Sequence, residues 1–195
     1  MPEASPAMDA TPCQQQRSKP AGTTPPSPWV RRWGALVPEG GTVLDVACGW
    51  GRHLRWFAEG GFRVTGVDRD TSLLADLGAQ AEILSYDLED GSPWPFPDRT
   101  FDAVVVTNYL FRPLFPALAA AVAPGGVLIY ETFMVGNEAY GRPRNPDHLL
   151  TAGELLSAFP GLQTVGFEQG KVDTCGTGVV QRLAAVRTAE PVPLP

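Results

Sequence analysis

The sequence has few cysteines, fewer basic than acidic residues and no long apolar run, and each shortage argues against a class of protein. Cys13, Cys48 and Cys175 are the only cysteines and form no Cys-x-x-Cys pair, which argues against a disulfide framework or a zinc site and favours a reducing cytoplasm. No apolar run approaches the roughly 20 residues of a membrane span, so no membrane association is expected. The net charge of −6 shows no basic footprint, so no nucleic-acid partner is expected.

The 195 residues suit one folded domain with proline-rich ends. Residues 1–28 hold seven prolines and little apolar surface, which predicts a disordered tail because burial cannot offset the entropy of ordering. Residues 189–195 predict a second loose tail. The folded domain is therefore predicted over residues 29–188.

Within that domain, short β-rich apolar runs alternate with helical patterns. This alternation predicts an α/β fold with a doubly wound, mostly parallel, Rossmann-like sheet of seven strands. The last two strands have no helix between them, so they should form an antiparallel C-terminal hairpin. The predicted strands are 42–47, 63–67, 81–85, 101–107, 126–132, 162–168 and 179–186, and the predicted helices are 51–59, 72–77, 113–122 and 151–159.

A glycine-containing turn and two aspartates follow the first three predicted strands. Gly49 and Gly51 allow the chain to turn tightly between strand and helix. The dinucleotide pattern Gly-x-Gly-x-x-Gly fails because its third glycine falls on Leu54, which weakens a nicotinamide interpretation. Asp68 can accept hydrogen bonds from ribose hydroxyls, and Asp87 from an adenine amino group. An acidic crevice without a phosphate ligand suits a cationic sulfonium cofactor.

On these residues, positions 29–187 resemble the class I S-adenosylmethionine-dependent methyltransferases. Gly51-Arg52-His53, with Tyr86-Asp87 and Phe101-Asp102, is similar to the compact tellurite-resistance-type, small-molecule branch. The resemblance implies S-adenosyl-L-methionine as the cofactor and no metal. One departure is Ala47, where the family often has glycine.

The resemblance also implies which residues bind the cofactor and which lie beside the reacting methyl group. Asn108 and Tyr109, after the fourth strand, are the catalytic candidates. Arg52 either pairs with the cofactor carboxylate or has a solvated or packing role. The predicted cofactor-binding residues are Asp45, Ala47, Cys48, Gly49, Gly51, Arg52, Asp68, Arg69, Asp87, Leu88 and Asn108.

The predicted acceptor site uses Arg112, Glu131, Arg142 and Arg144. The long connection 133–148, rich in Gly, Pro and Asn, is interpreted as a lid. Guanidinium groups favour a small thiol, chalcogen oxyanion or carboxylate acceptor. Two alternatives stay open: these arginines pair within the loop, and Glu131 pairs with an arginine. His148 is either a general base or a loop residue.

The sequence thus predicts an enzyme that transfers methyl groups from S-adenosyl-L-methionine to a small molecule. A general base is needed only if the acceptor arrives protonated. A cofactor-binding protein without catalysis is one alternative, and a protein or RNA acceptor is another. The oligomeric state is left open.

Overall fold

A computed structural model describes residues 24–173 and 177–195, and Cys13 and Cys175 lie outside them. The α-helices are α1 (Pro28–Trp33), α2 (Arg52–Glu59), α3 (Phe115–Ala121) and α4 (Glu154–Ala158). The strands are β1 (Thr42–Val46), β2 (Arg63–Asp68), β3 (Ala81–Ser85), β4 (Phe101–Thr107), β5 (Val122–Phe133), β6 (Gln163–Val172) and β7 (Gly178–Val186). Five 3₁₀ turns cover Gly34–Leu36, Ser72–Gln80, Arg112–Leu114, Asn137–Ala139 and Pro146–His148.

The seven strands form one sheet in the order β3-β2-β1-β4-β5-β7-β6. Strands β1 to β5 run parallel, and β7 pairs antiparallel with both β5 and β6. The predicted doubly wound α/β fold with an antiparallel C-terminal hairpin is therefore confirmed. The order of the strands reverses between β1 and β4, which is where ligands bind in sheets of this type.

Apolar side chains cover both faces of the sheet. On β4, Val104 and Val106 face one cluster while Ala103 and Val105 face the other, and all four are fully buried. Leu118 of α3 and Leu155 of α4 join the first cluster, and Trp33 of α1 and Phe57 of α2 join the second. Because the sheet is packed on both faces, the strand ends are held in fixed positions. The loops that follow them start from those positions.

Three helix predictions need correction at their boundaries. The predicted helix 72–77 is a 3₁₀ segment that runs to Gln80 with a kink at Gly78. The predicted helix 113–122 ends at Ala121 because Val122 already pairs with Phe101 as the start of β5. The predicted helix 151–159 begins at Glu154 because Gly153 before it has a left-handed backbone, φ 71°.

Ser27 and Val192, which lie outside the predicted domain boundaries, contact the folded part of the chain. Ser27 is buried, caps α1 by accepting from the Trp29 N–H, and donates its own N–H to His53 Nε2 at 3.2 Å. Near the other end, Val192 packs against the apolar cluster under α2.

In the described ranges, no helix is long and apolar enough to cross a membrane. The same ranges contain no group of three or more His, Cys, Asp or Glu side chains that could hold a metal ion.

Candidate active site

Two adjoining cavities lie at the carboxyl ends of the parallel strands, beside the point where the strand order reverses. The first has a volume of about 520 Å³ and the second about 260 Å³. The first is lined by Ala47, Gly49, Trp50, Asp68, Arg69, Asp70, Leu73, Tyr86, Asp87, Leu88, Glu89, Tyr109 and His148. The second is lined by Glu89, Asn108, Tyr109, Leu110, Thr132, Phe133, Pro143 and His148.

The turn after β1 is tied to the end of β2 by Asp68. One oxygen of its carboxylate accepts the Gly49 N–H at 2.8 Å, and the other accepts the Asp70 N–H at 3.0 Å. A carboxylate offers about four acceptor positions, so Asp68 has capacity left for ligand hydroxyls. The aspartate therefore shapes the turn and presents its remaining lone pairs to the first cavity.

The first cavity fits an adenosyl sulfonium. A Cβ placed on Gly49, at φ +56°, would meet nothing within 4 Å, so bare backbone borders open space there. The lining includes four acidic residues, with Arg69 and His148 as its basic ones; the acidic residues are Asp68, Asp70, Asp87 and Glu89. Carboxylates accept hydrogen bonds from hydroxyl and amino groups, and they attract a cation.

Two strained residues flank the crossing point of the sheet. Ala47 after β1 has φ +52° and Asn108 after β4 has φ +55°, and they are the non-glycine residues with positive φ in the described chain. Such conformations cost of order 1–3 kcal/mol each and cluster at functional sites. Both residues line a cavity, Ala47 the first and Asn108 the second.

Replacing Ala47 by glycine is expected to stabilise the protein. Alanine in the left-handed region costs roughly 1–2 kcal/mol, whereas the added freedom of glycine in the unfolded chain costs about 0.4–1 kcal/mol. The net gain of up to about 1.6 kcal/mol should raise the melting temperature by up to roughly 6 °C. The control A58G, within α2, should lower the melting temperature. A lower melting temperature for A47G would contradict the strain argument.

Glu89, Tyr109 and His148 line both cavities. The Tyr109 hydroxyl is buried near the Glu89 carboxylate but forms no hydrogen bond of ordinary length, and Tyr130 donates to the Tyr109 carbonyl at 3.0 Å. Burial raises the pKa of Tyr109 above its ordinary value, and the negative charge of Glu89 adds to the effect. The hydroxyl therefore stays protonated at neutral pH, so Tyr109 can donate a hydrogen bond but cannot act as a base.

Arg112, predicted to bind the acceptor, does not line either cavity. Its guanidinium forms a two-point ion pair with Glu154, with distances of 2.6 and 3.1 Å. The same group donates to the carbonyl oxygens of Asp147 at 2.7 Å and Leu149 at 2.9 Å. The ion pair with Glu154 raises the pKa of Arg112 further. All three nitrogens of the guanidinium are thus engaged, either with Glu154 or with the backbone of Asp147 and Leu149.

The other predicted acceptor residues also lie outside the cavity linings. Glu131 is buried and pairs with Arg182 at 2.6 Å, the alternative that the sequence had left open. Arg142 and Arg144 are exposed, whereas Pro143 between them lines the second cavity. The connection 133–148 thus does border the second cavity, through Pro143 and His148. Its closure as a lid stays a prediction.

Four predicted cofactor residues, Asp45, Cys48, Gly51 and Arg52, do not line either cavity. Asp45 is buried, and its Oδ2 has no hydrogen-bond partner but lies 3.8 Å from His53 Nδ1. Burial raises the pKa of the Cys48 thiol, and Asp45 and Asp68 raise it further. Cys48 is therefore a protonated filler and not a nucleophile. The structure brings the other predicted cofactor residues to the cavities, namely Ala47, Gly49, Asp68, Arg69, Asp87, Leu88 and Asn108.

Glu89 is the functional candidate that the sequence interpretation missed. Its N–H donates to the Asp87 carboxylate at 2.9 Å, which forms a tight turn after β3. This turn brings Glu89 back to the strand edge, where it lines both cavities. The spacing Asp87-Leu88-Glu89 was the available signal, because an aspartate often binds the backbone two residues on.

Comparisons with known proteins agree with this geometry. Residues 43–126 match a family model described as a methyltransferase domain. The putative methyltransferase YqeM of Bacillus subtilis (strain 168) is 31% identical over 118 residues, covering 53% of this chain and 47% of the relative. The chain thus spans about half the length of this curated relative.

Two solved structures share the fold. TehB from Haemophilus influenzae superposes with a TM-score of 0.63 and 15% identity, covering 80% of this chain and 60% of that one. An S-adenosylmethionine-dependent methyltransferase from Mesorhizobium loti superposes with a TM-score of 0.61 and 21% identity, covering 80% and 95%. They share the fold of this chain, and with the domain match over residues 43–126 they agree with the predicted resemblance to class I methyltransferases.

Proposed function

We propose that this protein is an enzyme that transfers the methyl group of S-adenosyl-L-methionine to a small molecule. The observation that supports this most is the pair of adjoining cavities that share Glu89, Tyr109 and His148. A donor in one cavity and an acceptor in the other would meet at these side chains. Holding two reactants in such an arrangement can lower a barrier by roughly 7–11 kcal/mol.

The larger cavity is assigned to the cofactor. Asp68 accepts hydrogen bonds from the ribose, Asp87 and Leu88 hold the adenine, and Ala47 and Gly49 border the methionine part. When bound, the cofactor supplies an electrophilic methyl group on a sulfonium, which is a good leaving group. The protein contributes position, exclusion of water and hydrogen bonds. Tyr109 is suited to orient the acceptor because it lines both cavities and its hydroxyl stays protonated.

The smaller cavity favours a neutral or amine-bearing acceptor over an anion. Its volume of about 260 Å³ lies below the roughly 300–1,000 Å³ of drug-sized sites. Glu89 contributes a negative charge to its lining, and the lining contains no arginine. The predicted preference for oxyanions or carboxylates depended on Arg112, Arg142 and Arg144, so it loses its support. A thiol acceptor remains within the proposal, and the exclusion of nucleic acid and the cytoplasmic setting stay predictions.

Two measurements test the proposal. Calorimetry should show binding of S-adenosylmethionine and S-adenosylhomocysteine, without binding of NAD. Methyl-labelled cofactor should then label at least one member of an acceptor panel: catechol, benzylamine, aniline, benzenethiol, benzoate and selenite. Cofactor binding without transfer to these, to protein or to RNA would instead support a non-catalytic binding protein. Binding of NAD alone would refute the proposal.

A further inference from the structure

We propose that His148 removes the acceptor's proton during methyl transfer and that Arg112 is its positioning residue. This inference rests on the proposed function and assigns the part of the reaction that the cofactor does not supply. It starts from a side chain that lines both cavities and from an ion pair that fixes the backbone on either side of it.

His148 occupies the boundary between the two cavities. It lines the larger cavity together with residues that follow β1 to β3, and the smaller one together with Asn108 and Thr132. A group that lines both cavities can reach an acceptor heteroatom while that atom faces the donor. Imidazole is the side chain whose unperturbed proton affinity lies nearest to neutral pH, so it suits the role of a general base.

The Arg112 guanidinium holds the peptide on each side of His148. It donates to the carbonyl oxygen of Asp147 at 2.7 Å and to that of Leu149 at 2.9 Å. Glu154 holds the guanidinium in place by accepting from Nε and Nη2. Only a planar fork with several N–H groups can make all of these contacts at once, so lysine is not equivalent at this position. The arginine therefore acts on the reaction through His148 and not by touching a ligand.

The proton transfer balances with the methyl transfer. As the acceptor's oxygen, nitrogen or sulfur forms its bond to the methyl carbon, the carbon–sulfur bond breaks and its electron pair stays with the sulfur of the departing cofactor. The acceptor's proton passes to an unprotonated ring nitrogen of His148. The resulting imidazolium then releases the proton to solvent, which His148 reaches because it is exposed.

A general base must be unprotonated to accept the acceptor's proton, so this role predicts a rate that falls at low pH. Beside Asp147, Arg112 and Glu154, the titratable or charged groups that share the cavities with His148 are Asp68, Arg69, Asp70, Asp87, Glu89 and Tyr109. Because several of these groups could shape the pH profile, the fall in rate at low pH is attributed to His148 only if the His148→Gln variant loses it. The midpoint of the profile is not used for this.

The test uses the full chain and the best-labelled acceptor of the panel above. H148Q should lower kcat by roughly 10²–10⁴-fold, remove the low-pH limb and leave S-adenosylhomocysteine affinity little changed. R112K should lower kcat more than it changes either KM. R99K is the matched control, since Arg99 makes a similar two-point pair with Glu82 at 2.9 Å at the other end of the sheet. It should leave kcat and the pH profile as in the wild type.

A second readout does not depend on turnover. The chain has two histidines, so H148Q assigns the His148 ring resonance in an NMR spectrum. S-adenosylhomocysteine should shift that resonance in the wild type and in R99K, and the shift should be lost in R112K. If R112K does not fold, E154Q tests the same ion pair from the other side.

Two outcomes overturn the inference while the proposed function stands. One is methyl transfer by H148Q at the wild-type rate with its low-pH limb intact. The other is an R112K or E154Q protein whose kcat, pH profile and His148 resonance match the wild type. Failure of the wild type to bind S-adenosylhomocysteine or to transfer methyl would instead refute the proposed function itself.

Discussion

Replacing Asp68 by alanine is expected to weaken S-adenosylmethionine binding by roughly a hundredfold or more. A hydrogen bond to a charged group contributes roughly 1.5–3 kcal/mol, and a ribose diol offers two donors to the same carboxylate. Two such bonds amount to about 3–6 kcal/mol, or roughly 10²–10⁴-fold in affinity. Calorimetry with S-adenosylmethionine and S-adenosylhomocysteine measures the loss directly.

Asp68 also holds the turn that forms the cavity, so a second variant separates the two roles. D68A removes the acceptors of the Gly49 and Asp70 N–H groups as well as those of the ribose. D68N keeps one carbonyl oxygen, which can still accept the Gly49 N–H, but its amide has no negative charge and one acceptor fewer. D68N should therefore bind the cofactor more weakly than the wild type and melt closer to it than D68A does.

Asp90 provides the matched control for this pair. Its carboxylate accepts the Ser92 N–H at 2.8 Å in a turn of the same kind, but it is exposed and outside both cavities. D90N should leave cofactor affinity unchanged. If D68A binds the cofactor as tightly as D90N does, the ribose is held elsewhere and the assignment of the larger cavity fails.

The sequence predicts most of the sheet because buried parallel strands appear in the sequence as short, local apolar runs. The runs 81–85 and 101–107 match β3 (Ala81–Ser85) and β4 (Phe101–Thr107) residue for residue. Boundaries elsewhere were predicted less well, in strands as in helices: β5 begins at Val122 and not at 126, and β6 ends at Val172 and not at 168. Gly153, for example, adopts a left-handed backbone that delays α4 by three residues relative to Thr151. Such choices depend on packing that a local pattern does not contain.

Part of the lining of the larger cavity was predictable because it follows the strand ends. Asp68 and Asp87 each lie at or just after a strand, and parallel strand ends share one edge of the sheet. The acceptor side was not predictable in the same way. Arg112 meets Glu154 across 42 residues of sequence, and Arg182 meets Glu131 across 51. Tertiary structure decides which carboxylate pairs with which arginine. Spacing rules for helices and turns apply only to residues a few positions apart, so they could not predict these pairs.

Gly49→Ala is expected mainly to weaken cofactor binding and Gly51→Ala mainly to destabilise the fold, although both glycines belong to the same turn. Each has a positive φ, +56° and +76°, so alanine at either position costs roughly 1–2 kcal/mol. A Cβ on Gly51 would also lie 2.6 Å from Leu74 Cδ2. Leu74 is buried, and forcing extra volume into a packed core costs typically 1–3 kcal/mol. G51A should therefore lose about 2–5 kcal/mol of stability in total.

Gly49 differs because a Cβ there meets no protein atom within 4 Å and Gly49 lines the larger cavity. G49A should thus cost only the backbone strain but place a methyl group where the cofactor is proposed to bind. Since a domain of this size loses roughly 2–4 °C of melting temperature per kcal/mol, thermal melts should rank the variants wild type, G49A, G51A. Calorimetry at a temperature where both variants are folded should give the greater loss of S-adenosylhomocysteine affinity for G49A. The reverse order in calorimetry would show that the bare backbone at Gly49 does not face the cofactor, and that the turn serves packing alone.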